Sequence, residues 1–109
     1  MQTFIIDSAR EDGLFCYFED DGETGYLYLY EEDGAGIIDH LHIYDDPEQI
    51  GVTEDDIEVV WSKNQGKCGV KIWGNFYGIF DLDSNKKISM TVEGRETAPI
   101  SDPALLEGF

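Results

Sequence analysis

His40 and His42 are the residues of this chain best suited to binding a metal ion. They are its only histidines, and Asp39 directly precedes the first of them. Side chains two positions apart on a β-strand point to the same side of the sheet, so both imidazoles can bind one metal ion. Asp39 or Asp45 would then supply an oxygen ligand. The alternative interpretation is a half-exposed polar strand face whose imidazoles hydrogen-bond to nearby acids.

The spacing of these histidines resembles the start of the cupin metal motif. Five residues separate Gly34 from His40, and one residue separates His40 from His42. The glutamate that cupins place next is replaced by Asp46 at best, with Glu48 too far along, and no third histidine exists for the second cupin motif. A small cupin-like, metal-dependent enzyme centred on His40 and His42 is therefore the alternative function. No catalytic residue or cofactor is assigned.

An acidic loop at residues 19–23 is a second candidate site. Its carboxylates are Glu19, Asp20, Asp21 and Glu23. They provide enough oxygen for Ca²⁺ or Mg²⁺, but they lack the alternate-position ligand order of an EF-hand. A solvated hairpin connection explains the loop equally well. We expect these four acids to contribute to a partner-binding surface.

Three tyrosines alternate with leucines in the next segment. Tyr26, Tyr28 and Tyr30 occupy every second position, with Leu27 and Leu29 between them. On a strand this pattern places the three phenol rings on one face and the leucines on the other. Tyrosine rows suit partner binding, because each ring offers contact area and a hydroxyl group. Ordinary cross-strand packing is the alternative.

The acidic residues are concentrated in the first half of the chain. Residues 1–58 carry eighteen Asp and Glu against a single base, Arg10, while residues 59–109 carry six acids and six bases. The formal net charge of −17 therefore belongs to one half. Such a field repels nucleic acids and anionic membranes and attracts basic proteins or metal cations. Crowding of like charges also predicts that several carboxyl pKa values are raised.

Composition predicts one folded domain over residues 1–109. Hydrophobic residues make up 41% of the 109 positions and aromatic residues 13%, which argues against disorder despite the charge. The N-terminal residues show neither the basic region nor the apolar stretch of a signal peptide, so we expect a cytoplasmic location. In that compartment Cys16 and Cys68 are expected to be reduced thiols that fill strand faces.

Period-two alternation interrupted by turn residues predicts an antiparallel, mainly β fold, either a sandwich or a partly open barrel of seven to eight strands. Proline after an acid predicts one or two short helical turns, at 46–49 and at 101–106. Alternation places Phe76, Phe80 and Leu82 on one hydrophobic face, opposite a wetter face that includes Asp81. The predicted strands span residues 3–7, 14–19, 25–31, 37–44, 57–62, 68–73, 76–82 and 88–92.

The order of several short motifs resembles the bacterial domain-of-unknown-function family 2251. The motifs are Phe18–Tyr26, Ile38–Tyr44, Ile57–Ser62 and Gly78–Asp81. The resemblance implies a bacterial cytosolic origin and implies no activity, because the family is uncharacterised.

These observations together predict a non-catalytic binding module. Its acidic half is expected to dock onto or neutralise a basic partner protein, as bacterial immunity and inhibitor proteins do, by analogy of charge and size. The oligomeric state is not predicted.

Overall fold

Two four-stranded antiparallel sheets, each with its strands in chain order, form the fold. The computed structural model of the chain describes residues 3–10, 12–32, 34, 36–45, 51–89, 100 and 103–109. The first sheet contains β1 (Phe4–Ala9), β2 (Leu14–Asp20), β3 (Thr24–Glu31) and β4 (Gly36–Asp45). The second contains β5 (Ile57–Trp61), β6 (Lys67–Ile72), β7 (Asn75–Asp81) and β8 (Lys86–Ser89). The prediction of an antiparallel, mainly β fold is confirmed, and the arrangement within the described residues is sandwich-like, without a closed barrel.

Helical structure is confined to short turns in the described residues. The predicted turn near the C-terminus is present as α1 (Pro103–Leu106), with proline at its first position. The turn predicted at 46–49 lies outside the described residues. A 3₁₀ turn at Glu54–Asp56, which the sequence pattern did not predict, leads into β5. No helix among the described residues is long and apolar enough to cross a membrane.

The main core lies between the two sheets. Alternate residues of β2 and β3 are buried there, among them Phe18 and Leu27, and they meet Val70 and other residues of β6. Cys16 and Cys68 are both free and fully buried in this core, which confirms that they fill strand faces. Burial, together with the neighbouring Cys68 side chain of the opposite sheet, raises the pKa of the Cys16 thiol well above its usual value.

The outer face of the second sheet is also apolar, which corrects the predicted wetter face. A bulge between Val70 and Lys71 shifts the pairing, so that Phe76 lies opposite Lys71. The extra residue moves Phe76 to the outer side, where it clusters with Ile79 and Ile100, while Phe80 stays in the main core. Phe76 and Phe80 therefore do not share a face. The C-terminal residues Leu106 and Phe109 pack on the outer cluster.

Candidate functional site

The outer face of the first sheet carries the aromatic side chains that the leucines of β3 leave exposed. Leu27 and Leu29 point into the core, so the residues between them point outward. Register extends this outward row to the neighbouring strands, where Tyr28 lies opposite Tyr17 on one side and His40 on the other. We call this surface the aromatic face. Its residues are Ile5, Asp7, Phe15, Tyr17, Glu19, Tyr26, Tyr28, Tyr30, Glu32, His40 and His42.

Ring contacts make the aromatic face continuous across three strands. Tyr17 and Tyr28 stack with ring centroids 4.9 Å apart at an interplanar angle of 25°. Tyr28 stacks in turn on Tyr26 at 6.0 Å, and Tyr26 lies 5.0 Å from the His42 ring. The predicted row of three tyrosines on one face is confirmed. Its rings are held by cross-strand packing and remain half-buried, with their outer surfaces in contact with solvent.

A groove of about 410 Å³ lies beside these stacked rings, over β2. Phe15, Tyr17 and Tyr30 contribute its aromatic lining, and Ile5 contributes an aliphatic side chain that is 58% exposed. The groove is also lined by three carboxylates, from Asp7, Glu19 and Glu32. This volume falls in the range of about 300–1,000 Å³ that small-ligand sites occupy. We refer to it as the β2 groove.

Sequence reasoning found the tyrosines of β3 but missed the groove. The missing members on β2 are Phe15 and Tyr17, which alternate with the buried Cys16 and Phe18. That alternation, together with the hairpin that joins β2 to β3, was the signal that could have placed these rings opposite Tyr30 and Tyr28. The contribution of β1 depends on its register with β2.

No described lysine or arginine side chain belongs to the aromatic face. Arg10 turns to the other side, where it binds the Asp12 carboxylate at 2.7 Å and the Gln65 carbonyl oxygen at 2.9 Å. Its guanidinium lies 5.4 Å from the Trp61 ring of the second sheet. The described lysines all belong to the second sheet or its turns. Burial and the nearby Glu19 charge raise the pKa of Tyr28, consistent with a face that disfavours further negative charge.

Asp20 does not belong to this surface, although the acidic loop predicted it there. It is the last residue of β2, on the inward side of the alternation, and only 1% of it is exposed. One carboxylate oxygen accepts the Tyr44 hydroxyl at 2.5 Å, and the other accepts the Gly22 N–H at 2.8 Å. A partner at the surface therefore meets the other loop acids and not Asp20.

The remaining loop acids are accessible. Glu19 lies on the aromatic face opposite Tyr26, whereas Asp21 and Glu23 are exposed in the turn just beyond it. The Asp21 carboxylate accepts hydrogen bonds from the backbone N–H groups of Glu23 at 2.9 Å and Thr24 at 2.8 Å, and these lower its pKa. Asp21 thus fixes the turn while it remains charged.

Five aspartates of the described residues have lowered pKa values, which is opposite to the predicted direction. Their carboxylates accept hydrogen bonds, and three also face a cation: Arg10 beside Asp12, Lys87 beside Asp39 and Lys67 beside Asp81. Burial raises these pKa values, but hydrogen bonds and opposite charges together lower them more strongly. For these groups the prediction of raised values is wrong. The five are Asp12, Asp21, Asp39, Asp56 and Asp81.

The histidines point to the same side, as predicted, but Asp39 does not join them. Its carboxylate lies 2.9 Å from the ammonium group of Lys87 in the second sheet. His42 Nε2 instead lies 2.9 Å from Asp45 Oδ1. Within the part of the chain that the structure describes, no group of three or more His, Cys, Asp and Glu side chains is placed to hold a metal ion. Asp46 and Glu48 lie outside that part.

Comparison with known protein families gives a match over residues 1–98 to DUF2251, described as an uncharacterized protein conserved in bacteria. The chain belongs to this family. The match confirms the resemblance found in the order of short motifs, and it includes all eight strands of the described residues. No curated protein and no solved structure gave a match.

Proposed function

We propose that this DUF2251 protein is a non-catalytic binding module that docks onto or neutralises a basic partner protein through its aromatic face. One observation carries the proposal: rings and carboxylates share this face, and no described lysine or arginine side chain lies on it. A partner with clustered lysines and arginines complements such a surface in charge. Its role would be analogous to that of bacterial immunity or inhibitor proteins.

The chemistry of the face supports this choice of partner. Tyrosine is enriched among the residues that contribute most to binding energy at protein interfaces. Its ring also attracts lysine and arginine through cation–π interactions. Carboxylates such as Glu19 and Asp7 add charge pairing at the edges of the rings. The same residues would therefore supply both contact area and selectivity for cations.

The size of the face indicates that a partner also touches the neighbouring turns. Four strands spaced about 4.8 Å apart and about six residues long give a footprint of roughly 400 Å². A stable interface buries about 800 Å² on each partner. The exposed turn at Asp21 and Glu23 adjoins the face and extends it with negative charge. We therefore place these two acids at the edge of the interface.

A pair of charge-matched variants tests the proposal. The face-neutral variant carries Asp7→Asn, Glu19→Gln and Glu32→Gln, all within the β2 groove. It removes three negative charges from the aromatic face.

The control-neutral variant removes the same number and types of charge elsewhere. It carries Glu54→Gln, Asp55→Asn and Glu58→Gln, three exposed residues of the 3₁₀ turn and of β5.

Each protein would be immobilised and used to capture proteins from a bacterial lysate, with quantification by mass spectrometry. We expect the wild-type and control-neutral proteins to enrich the same basic protein, and the face-neutral variant to lose it. Equal enrichment by all three proteins, or enrichment of an acidic protein, would contradict the proposal.

A further inference from the structure

The β2 groove differs from the rest of the aromatic face in how its rings are arranged. Tyr26 and Tyr28 stack with their ring planes inclined by only 27°. Around the groove the rings instead stand at steep angles: Tyr30 is inclined by 67° to Tyr17 and by 61° to Phe15. Tyr17 stacks on Tyr28 on one side and lines the groove with the other. The groove is therefore a recess walled by rings in different planes.

Rings that converge from several directions are suited to hold a cation, since the face of each ring carries partial negative charge. Three carboxylates line the same recess, from Asp7, Glu19 and Glu32. Among the described residues, the two basic side chains that pair with acids of the first half bind elsewhere: Arg10 pairs with Asp12 and Lys87 with Asp39. An anion would be repelled by these carboxylates, and a purely apolar group would offer them neither an opposite charge nor a hydrogen-bond donor.

We propose that the β2 groove binds an arginine side chain of the basic partner. The inference rests on the proposed function and assigns its anchor point. A guanidinium group is planar, so it stacks on aromatic rings, and its N–H groups pair with carboxylates. The recess offers both kinds of contact side by side. Tyr17 and Tyr30 supply ring surface, and Asp7 and Glu19 supply carboxylate oxygens.

Arginine fits this recess better than lysine does. The lysine ammonium group is compact and strongly hydrated. It has no planar surface that could stack on an aromatic ring. Arginine is also more weakly hydrated, so its transfer from water into a half-buried groove is easier. Discrimination between the two cations is therefore the property that identifies an arginine site, whereas attraction to the net negative charge alone would treat them alike.

Three short peptides provide the test, with no need for the natural partner. Acetyl-Gly-Ser-Arg-Ser-Gly-amide would be titrated into isotope-labelled full-length protein at about 0.15 M NaCl and followed by NMR. Matched peptides would carry lysine or the uncharged citrulline in place of arginine. We expect saturable shifts at Phe15, Tyr17 and Tyr30 with the arginine peptide, at least two-fold weaker binding of the lysine peptide and no binding of the citrulline peptide.

Two substitutions then connect the binding to the groove. Glu19→Gln removes a groove carboxylate, and Glu58→Gln removes an exposed carboxylate of β5 as its control. Tyr30→Leu removes a groove ring. We expect Glu19→Gln and Tyr30→Leu each to weaken binding of the arginine peptide about two- to five-fold. Glu58→Gln should leave this binding unchanged. The NMR spectrum of each variant reports whether its fold is intact.

Equal binding of the arginine and lysine peptides, shifts centred outside the groove, or the absence of saturable shifts would overturn the inference. These outcomes are separate from failure of the proposed function. If the face-neutral variant loses the captured partner while the peptides do not discriminate, the aromatic face still docks a basic protein but does so without an arginine anchor. If the face-neutral variant keeps the partner, the proposed function itself fails.

Discussion

The buried hydrogen bond between Tyr44 and Asp20 gives the most quantitative prediction about the fold. The two residues are 0% and 1% exposed, and the Tyr44 hydroxyl donates to the Asp20 carboxylate at 2.5 Å. Burial and this hydrogen bond raise the pKa of Tyr44 far above its usual value, so the hydroxyl remains a donor throughout the neutral and mildly alkaline range. The bond ties the end of β2 to β4 beneath the aromatic face.

Tyr44→Phe removes the hydroxyl group and keeps the ring, which packs 5.6 Å from the Phe18 ring. The Gly22 N–H still donates a hydrogen bond to Asp20 in this variant. A hydrogen bond to a charged group contributes about 1.5–3 kcal/mol, and a buried acceptor that loses its donor adds to the cost. We expect the free energy of unfolding to fall by about 2 kcal/mol. For a chain of this size, that corresponds to a midpoint roughly 8–16 °C lower.

Urea unfolding, monitored by tryptophan fluorescence, measures this change. An unchanged slope of the unfolding free energy against urea concentration indicates that two-state unfolding is preserved. Tyr28→Phe is the matched control, because its hydroxyl belongs to the solvent-facing side of the first sheet and its removal should cost less than about 0.5 kcal/mol. If Tyr44→Phe is as stable as Tyr28→Phe, Asp20 does not depend on the buried bond. The assignment of Asp20 to the core through its hydrogen bond with Tyr44, and not to the docking surface, would then be contradicted.

Three further predictions follow from the described contacts. Cys16 and Cys68 are fully buried, so an aromatic disulfide reagent should label both at the rate of global unfolding, and fast labelling of the native protein would show that the core is open. The pKa values of Asp21 and Asp39 are lower in the folded state than their unfolded values of about 4, so both groups stabilise the fold at pH values above about 4. This stability is lost as the pH falls through the folded pKa values, so the urea concentration at the unfolding midpoint should decrease once the pH is below about 4. A midpoint that rises on acidification would contradict these hydrogen bonds. Protein purified without a histidine tag should hold no stoichiometric transition metal by elemental analysis, whereas bound metal that His42→Ala releases would favour the metal-enzyme alternative.

The strands were predictable because local signals agree with one another. Alternation with period two specifies which residues face inward, and glycine-containing turns mark where the chain reverses. Gly22, for example, has a φ of 90° in the turn between β2 and β3, a conformation that glycine adopts without strain. Each sheet therefore has its strands in chain order, as hairpin connections predict.

The faces of β7 were not predictable, because a bulge changes them. One extra residue near Tyr77 reverses the side on which Phe76 lies. Gly78 is a local hint of an irregularity, but a glycine within a strand does not specify where the extra residue falls or which side chain changes face. Packing of the distant Ile100 and Phe109 against Phe76 then makes the outer position apolar. These contacts join segments far apart in the chain, so alternation alone carries no information about them.

The candidate site was predicted in part, and its errors have a common origin. Tyr26, Tyr28 and Tyr30 were placed correctly by their own spacing. Asp20 was assigned to the surface because it is acidic, although its alternation with Cys16 and Phe18 places it inward. The β2 groove depends on side chains from three consecutive strands, whose alignment is set by register.

The central claim is that a basic protein docks on the aromatic face, and the association rate of the captured partner tests it most directly. The purified partner would be mixed in stopped flow with the wild-type, face-neutral and control-neutral proteins at about 0.1 M and about 1 M NaCl, where the Debye length falls from about 10 Å to about 3 Å. We predict fast association of the wild-type and control-neutral proteins at low salt, a reduction of at least ten-fold at high salt, and slow association of the face-neutral variant at both. Association rates that are the same for the two charge-matched variants, or that do not change with salt, would contradict the account.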